Sequence, residues 1–269
     1  MLEKIEETIS YVREKTGFEP ETGIILGTGL GGLVKEIEIA YKLDYEDIPN
    51  FPVSTVEGHK GRLIFGMLAG KKVAAMQGRF HYYEGYSMEE VTFPVRVLKY
   101  LGIKYLLVSN ASGGVNPEYE IGDLMILNDH INLIPNPLIG KNHDEFGPRF
   151  PDMSEPYDHG MITKALSIAR KHNIRAHQGC YVGVTGPTLE TPKEYMYFRI
   201  IGGDTVGMST VPEIIVARQM GVPCFAISII TDLGVPGRIV KVTHEDVQVA
   251  AEQAEPRMTV IMKELLEGL

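Results

Sequence analysis

Six apolar stretches of this 269-residue chain each run into a cluster of glycines or small polar residues. The clusters are 27–32 (GTGLGG), 77–85 (QGRFHYYEG), 110–114 (NASGG), 185–191 (TGPTLET), 208–210 (MST) and 231–232 (TD). One such cluster reads as well as a turn as it does as a site. Six of them suggest one pocket, because in α/β sheets ligands bind beyond the carboxyl ends of the strands. Helical patterns lie between the strands. Leu2, Ile5, Ile9 and Val12 recur at helical spacing before Gly17. Ser87 with Glu90, and Thr210 with Glu213, have capping-box spacing. Further helices are expected over 160–172, 192–201 and from Thr243 to the C-terminus, the last kinked at Pro256. Strands are expected at 23–26, 104–109, 123–128, 180–184, 205–208 and 223–230, with a hairpin of 62–68 and 71–77. The pattern predicts an α/β fold: one domain over 1–269, a mixed central sheet and helices around it. Residues 135–157 hold five prolines in a stretch too long and irregular for a plain connection, which suggests a binding loop.

The formal net charge of −9, without a long basic run, argues against a nucleic-acid or anionic-membrane partner. A small anionic substrate then needs a locally basic pocket. The N-terminus is charged from residue 3 and lacks the apolar core of a signal peptide, and no apolar run is long enough for a membrane span. A cytoplasmic chain is expected. Cys180 and Cys224 sit in apolar runs and read as reduced core residues.

The cluster at 27–32 matches G-x-G-x-x-G in form. About seven residues separate it from the next strand-like run, too short for the crossover helix of a dinucleotide fold. A cradle of backbone N–H groups with the Thr28 hydroxyl, suited to phosphate, fits better. Arg79 and His81 alternate onto one side of an extended segment, where both can grip one anion. Arg79 offers a planar fork, and Glu84 is near enough to orient His81. A surface arginine and a packed histidine remain the plain alternative, as does an ordinary exposed histidine for His59. Glu190 and Asp232 follow apolar strands among small or apolar residues. If buried, they need partners such as purine N–H groups, although Glu190 also reads as a helix N-terminal acid. Paired metal-ligand spacings and a nucleophile elbow are both missing, so neither a metal nor an organic cofactor is expected.

The motifs GTGLGGL, TVEGHKGRL, MQGRFHYYEGY, TFPVRV, SNASGGVNP, GDLMILNDHIN, GPTLET, VGMSTVPEIIVAR and THEDV together resemble the trimeric class of purine nucleoside phosphorylases, over about residues 22–250. Methylthioadenosine phosphorylases share many of them. The resemblance implies a partly barrel-like sheet, a homotrimer, and inorganic phosphate as co-substrate with no cofactor. It implies a phosphate site from Thr28, His59, Arg79, His81, the Ala111 backbone and Ser209. The sugar would lie near Tyr83, Tyr181, Met208 and His244. Phe150 would reach into a neighbouring subunit's site, and the base would meet Leu189, Glu190 and Asp232. His81, Glu190 and Asp232 are the expected catalytic groups. The implied reaction is reversible phosphorolysis of purine nucleosides. A methylthioadenosine phosphorylase, a nucleoside hydrolase and a silent nucleoside-binding protein are the competing readings. This chain departs from the common pattern in carrying Asp232 where 6-oxopurine specialists carry Asn, Leu189 in place of an aromatic, and Thr28 in place of Ser. Asp232 points to relaxed base choice that includes adenosine, and His244 suits a 5′-hydroxyl better than a methylthio group.

Overall fold

A computed structural model describes residues 1–53, 55 and 60–269. The elements, in order, are α1 (Leu2–Thr16), β1 (Thr22–Leu26), β2 (Glu38–Asp44), β3 (Arg62–Leu68), β4 (Lys71–Gln77), α2 (Met88–Leu101), β5 (Tyr105–Gly114), β6 (Leu124–Asn132), α3 (His159–Lys171), β7 (Ala176–Gly183), α4 (Pro192–Ile200), β8 (Thr205–Gly207), α5 (Val211–Gln219), β9 (Cys224–Leu233) and α6 (His244–Glu267).

Local chemistry accounts for most boundaries. Ile5, Ile9 and Val12 bury one face of α1, which ends at Gly17. Ser87 and Glu90 form the expected capping box of α2, with Ser87 Oγ accepting from the Glu90 N–H. Asp158 caps α3 through the Met161 N–H at 2.8 Å. Helix α6 runs unbroken through Pro256.

The strands form one mixed sheet in the order β2-β3-β4-β1-β5-β8-β7-β6-β9, and a β5–β9 pairing closes its second half into a barrel. Strand β5 joins the two parts. Its first residues pair in parallel with β1 (Ile24 opposite Leu107), and its last pair antiparallel with β8 (Gly113 opposite Val206). The core lies on both faces of β1 and β5, where Ile24, Ile25, Leu106, Leu107 and Val108 are fully buried or nearly so.

Two of the six clusters are not loops. NASGG is the second half of β5 and Thr231-Asp232 lies inside β9. The two run side by side, Asn110 opposite Ser228 and Gly113 opposite Asp232. Their small side chains hid the strand from the hydrophobic pattern, whereas the backbone ladder continues through them. Strands β6 and β7 also extend beyond the apolar runs that signalled them. Both cysteines are reduced. Cys224 is buried and Cys180 half-buried, and burial pushes each thiol up to about 12. No helix among the described residues is long and apolar enough to cross a membrane.

Candidate active site

The clusters converge on one cavity of about 650 Å³, within the range of small-ligand sites. Thr28, Arg79, His81, Tyr83, Ala111, Leu189, Glu190, Met208, Ser209, Asp232 and His244 all line it. His59 lies outside the described residues. Tyr181 is set behind the wall. It is fully buried, and its hydroxyl accepts from the Ser209 N–H at 3.3 Å. Phe150 is 88% exposed and is not part of the lining of its own chain's cavity.

One polar group of residues centres on Arg79, which is 1% exposed. Its Nε and Nη2 donate to the two carboxylate oxygens of Glu213, at 3.0 and 2.8 Å, a counter-charge that the sequence reading did not include. Nη1 donates to the Ser109 carbonyl at 2.7 Å and to Ser209 Oγ at 3.3 Å. The capping box expected between Thr210 and Glu213 is therefore absent. Thr210 makes no side-chain cap to α5, and its φ is +66°. Glu213 is spent on Arg79, because a buried guanidinium needs a counter-charge more than a helix end needs a cap. Asn110 holds Thr210 in its unusual conformation by donating from Nδ2 to Oγ1 at 2.9 Å. Asn110 in turn accepts from Ser228 at 2.7 Å. Strain of this kind, tied down by a buried network, is typical of a functional turn.

His81 is buried beside this group, with Nδ1 3.1 Å from Glu84 Oε1. Burial, with the Arg79 charge adding to it, holds the His81 imidazole below its usual value against the pull of Glu84. Burial also opposes ionisation of Glu84. Hydrogen bonds from His81 and Thr55 outweigh it and bring that carboxyl down to about 2. A neutral ring beside a permanent carboxylate donates from Nδ1, which leaves Nε2 as its acceptor nitrogen. The Tyr83 ring stacks on His81, with centroids 4.7 Å apart and planes at 15°, and burial pushes its hydroxyl up to about 12.

The loop after β1 is pressed against α6. Gly29 has φ +72°, and an added Cβ would stand 2.7 Å from Ala251, so only glycine fits. Glu255 reaches from α6 to accept the Leu33 N–H at 2.8 Å, which caps a short 3-10 turn that has no cap of its own.

A second polar group of residues holds the two carboxyls. Asp232, 7% exposed, accepts from Thr231 Oγ1 at 3.0 Å and from Tyr195 Oη at 3.4 Å. Burial raises the Asp232 carboxyl, and also that of half-buried Glu190. Thr191 and Glu194 form the capping box of α4, and Glu190 stands immediately before it at the helix N-terminus, where the helix-terminal reading also holds. Sequence reasoning missed Glu213, Tyr195, Asn110 and Glu255. Glu213 carried a signal that was read as a cap. Asn110 lay in the NASGG cluster without a role of its own, and Tyr195 and Glu255 carry no signal that spacing reveals. No group of three or more metal-ligating side chains occurs among the described residues.

A family model described as the phosphorylase superfamily matches residues 21–267. Purine nucleoside phosphorylase 1 of Bacillus subtilis is 49% identical over 99% of this chain and 98% of its own. The rat purine nucleoside phosphorylase is 44% identical over 99% and 95%. Among solved structures, Schistosoma mansoni purine nucleoside phosphorylase in complex with adenosine superposes with a TM-score of 0.94 at 41% identity, covering 99% of this chain and 97% of that one. The same enzyme in complex with inosine is similar, with a TM-score of 0.94, 40% identity and coverage of 99% and 96%.

Proposed function

Since the chain belongs to the phosphorylase superfamily, we propose that it cleaves the N-glycosidic bond of purine nucleosides with inorganic phosphate, releasing purine base and pentose 1-phosphate. The observation that carries this reading is one cavity bearing both the Arg79–His81–Ser209 group and a carboxyl pair, half-buried Glu190 and buried Asp232. It is a single phosphorylase domain over 1–269, cytoplasmic, working as a homotrimer with Phe150 projecting into a neighbour's site. The 88% exposure of that phenylalanine on its own chain supports such a reach.

Phosphate sits against Thr28, His59, Arg79, His81, the Ala111 backbone and Ser209. Bond cleavage makes the sugar cationic at C1′ and the purine anionic. A phosphate held on the sugar face stabilises that cation and then attacks C1′, so the enzyme supplies preorganised charge and position and needs no nucleophile of its own. Arg79 is already fixed by Glu213 and Ser109, so it meets the anion without reorganising. The His81 tautomer set by Glu84 offers Nε2 to a P–OH hydrogen. Tyr83, Met208 and His244 face the sugar, and Tyr181 acts from behind by holding the Ser209 amide. Leu189 and Glu190 hold the base. Asp232, its carboxyl raised by burial, keeps a proton to give to N7 of the leaving purine.

Inosine, guanosine, adenosine and methylthioadenosine incubated with and without phosphate test the reading. Release of free base that depends on phosphate is expected for the purine nucleosides, with methylthioadenosine the poorest because His244 is polar. Equal release without phosphate would mean a hydrolase, and no release would mean a silent binding protein.

A further inference from the structure

The turn that carries His81 is tied to Thr55, which stands 29 positions before Glu84. Glu84 closes that turn, a short 3-10 run over Tyr82–Glu84, and its side chain is 2% exposed. Both carboxylate oxygens are in use. Oε1 accepts the His81 N–H at 2.8 Å and stands 3.1 Å from Nδ1 of the ring. Oε2 accepts the Thr55 N–H at 2.8 Å and the Thr55 hydroxyl at 2.6 Å. Tyr86 grips the chain two residues before Thr55. Its hydroxyl donates to the Val53 carbonyl at 2.6 Å and accepts the Val53 N–H at 3.2 Å. Thr55 lines the cavity together with His81 and Glu84. The Tyr86 bonds hold backbone alone. The Thr55 bonds end on the carboxylate that orients the ring.

We propose that Thr55 is a positioning residue for the phosphate reaction, acting through Glu84 to keep the His81 ring neutral and its Nε2 an acceptor. The inference rests on the phosphorolysis reading and on His81 as the group that takes a P–OH hydrogen. A carboxylate shares its negative charge among the donors around it, so two bonds from Thr55 leave less of that charge for the imidazole. Glu84 favours the cationic ring. Burial and the Arg79 guanidinium oppose it and hold the ring below its usual value. Glu213, on α5, is the other carboxylate acting on the ring, and both its oxygens are bonded to Arg79. The stacked Tyr83 stays neutral, its hydroxyl pushed up to about 12 by burial. His81 also borders a small second cavity, where Met88, Val91, Met208 and Ser209 carry no charge. The balance on His81 therefore depends on how far Glu84 is occupied elsewhere, and Thr55 is its partner from outside the turn. Losing the Thr55 hydroxyl returns charge to the oxygen that faces Nδ1. That favours the imidazolium and turns Nε2 from acceptor to donor.

The test is the pH profile of kcat/KM for phosphate at saturating inosine, in the wild type, Thr55→Val, Thr55→Ser, Tyr86→Phe and Glu84→Gln. Ionisation of phosphate is common to every profile, so the readout is the shift between proteins. An imidazole of higher proton affinity is neutral over a narrower range, which moves the acid limb to higher pH. Thr55→Val keeps the backbone bond to Glu84. It should move the acid limb up by roughly half a pH unit, a loss of about threefold below the limb and none above it. Thr55→Ser restores the hydroxyl and should restore the limb. Tyr86→Phe leaves Glu84 untouched, so any loss it causes should be the same at every pH. Glu84→Gln removes the pull on the ring and should move the limb down. An unchanged profile in Thr55→Val, or a loss that does not vary with pH, would reduce Thr55 to a tether and overturn the proposal. If Glu84→Gln leaves the limb in place, the limb does not belong to His81, and the proposal falls while phosphorolysis stands. A wild type that releases base without consuming phosphate would overturn both.

Discussion

Removing the Glu213 carboxylate leaves the Arg79 guanidinium as a buried charge without its counter-ion. The ion pair is 2.8 Å long, with side chains 1% and 5% exposed. At an effective dielectric of 20 that separation corresponds to a gross attraction of about 6 kcal/mol. The Ser109 carbonyl, 2.7 Å from Nη1, survives the change and offsets a part of the loss. Breaking a buried pair from one side costs about 3–5 kcal/mol. For a chain of this size that lowers the thermal midpoint by roughly 6–20 °C. Glu213→Ala should show this fall in a circular-dichroism melt. It should also raise the KM for phosphate by about tenfold, because the fork that Glu213 held is then free to turn. A loss of under about 1 kcal/mol with an unchanged phosphate KM would refute the claim that this pair sets the anion-binding group in place.

The clamp between α6 and the glycine loop gives a second expectation. Glu255→Ala frees the Leu33 amide and should raise the phosphate KM about fivefold, one net hydrogen bond, with the nucleoside KM little changed. His130 supplies a pH dependence. Burial brings its imidazole down to about 4, so between the ordinary value of 6.5 and about 4 the unfolded chain binds a proton that the folded chain refuses. Stability is therefore complete above about pH 6.5 and falls as the pH drops toward 4. Buried His81 adds to the same trend. Chemical denaturation of His130→Gln across that window should show a shallower slope than the wild type. Phe150 tests the assembly. A mixture of inactive Phe150→Ala and Asp232→Ala chains, refolded together, should regain part of the activity if each site takes its phenylalanine from a neighbour, and none if it does not.

The six clusters were legible because each follows an apolar run, and most of the pocket follows from them. Thr28, Arg79, His81, Glu190, Ser209 and Asp232 do meet in one cavity. The partners that hold those groups were not legible. Glu213 stands 134 residues from Arg79, and Tyr195 stands 37 from Asp232. Such pairings come from the closed sheet, and no local period encodes them. The Thr210–Glu213 spacing matched a capping box, yet a buried cation claimed the carboxylate. Strand β5 was cut short at Ser109 because Asn110–Gly114 lack apolar bulk, although their backbone continues the ladder with β9. The barrel closure through β5 and β9 was expected only from the family resemblance.

Phosphorus NMR of the enzyme with inosine and inorganic phosphate tests the central claim most directly. The account predicts a new pentose 1-phosphate resonance growing in step with free hypoxanthine while inorganic phosphate declines by the same amount. Hypoxanthine released with the phosphate signal unchanged would contradict it.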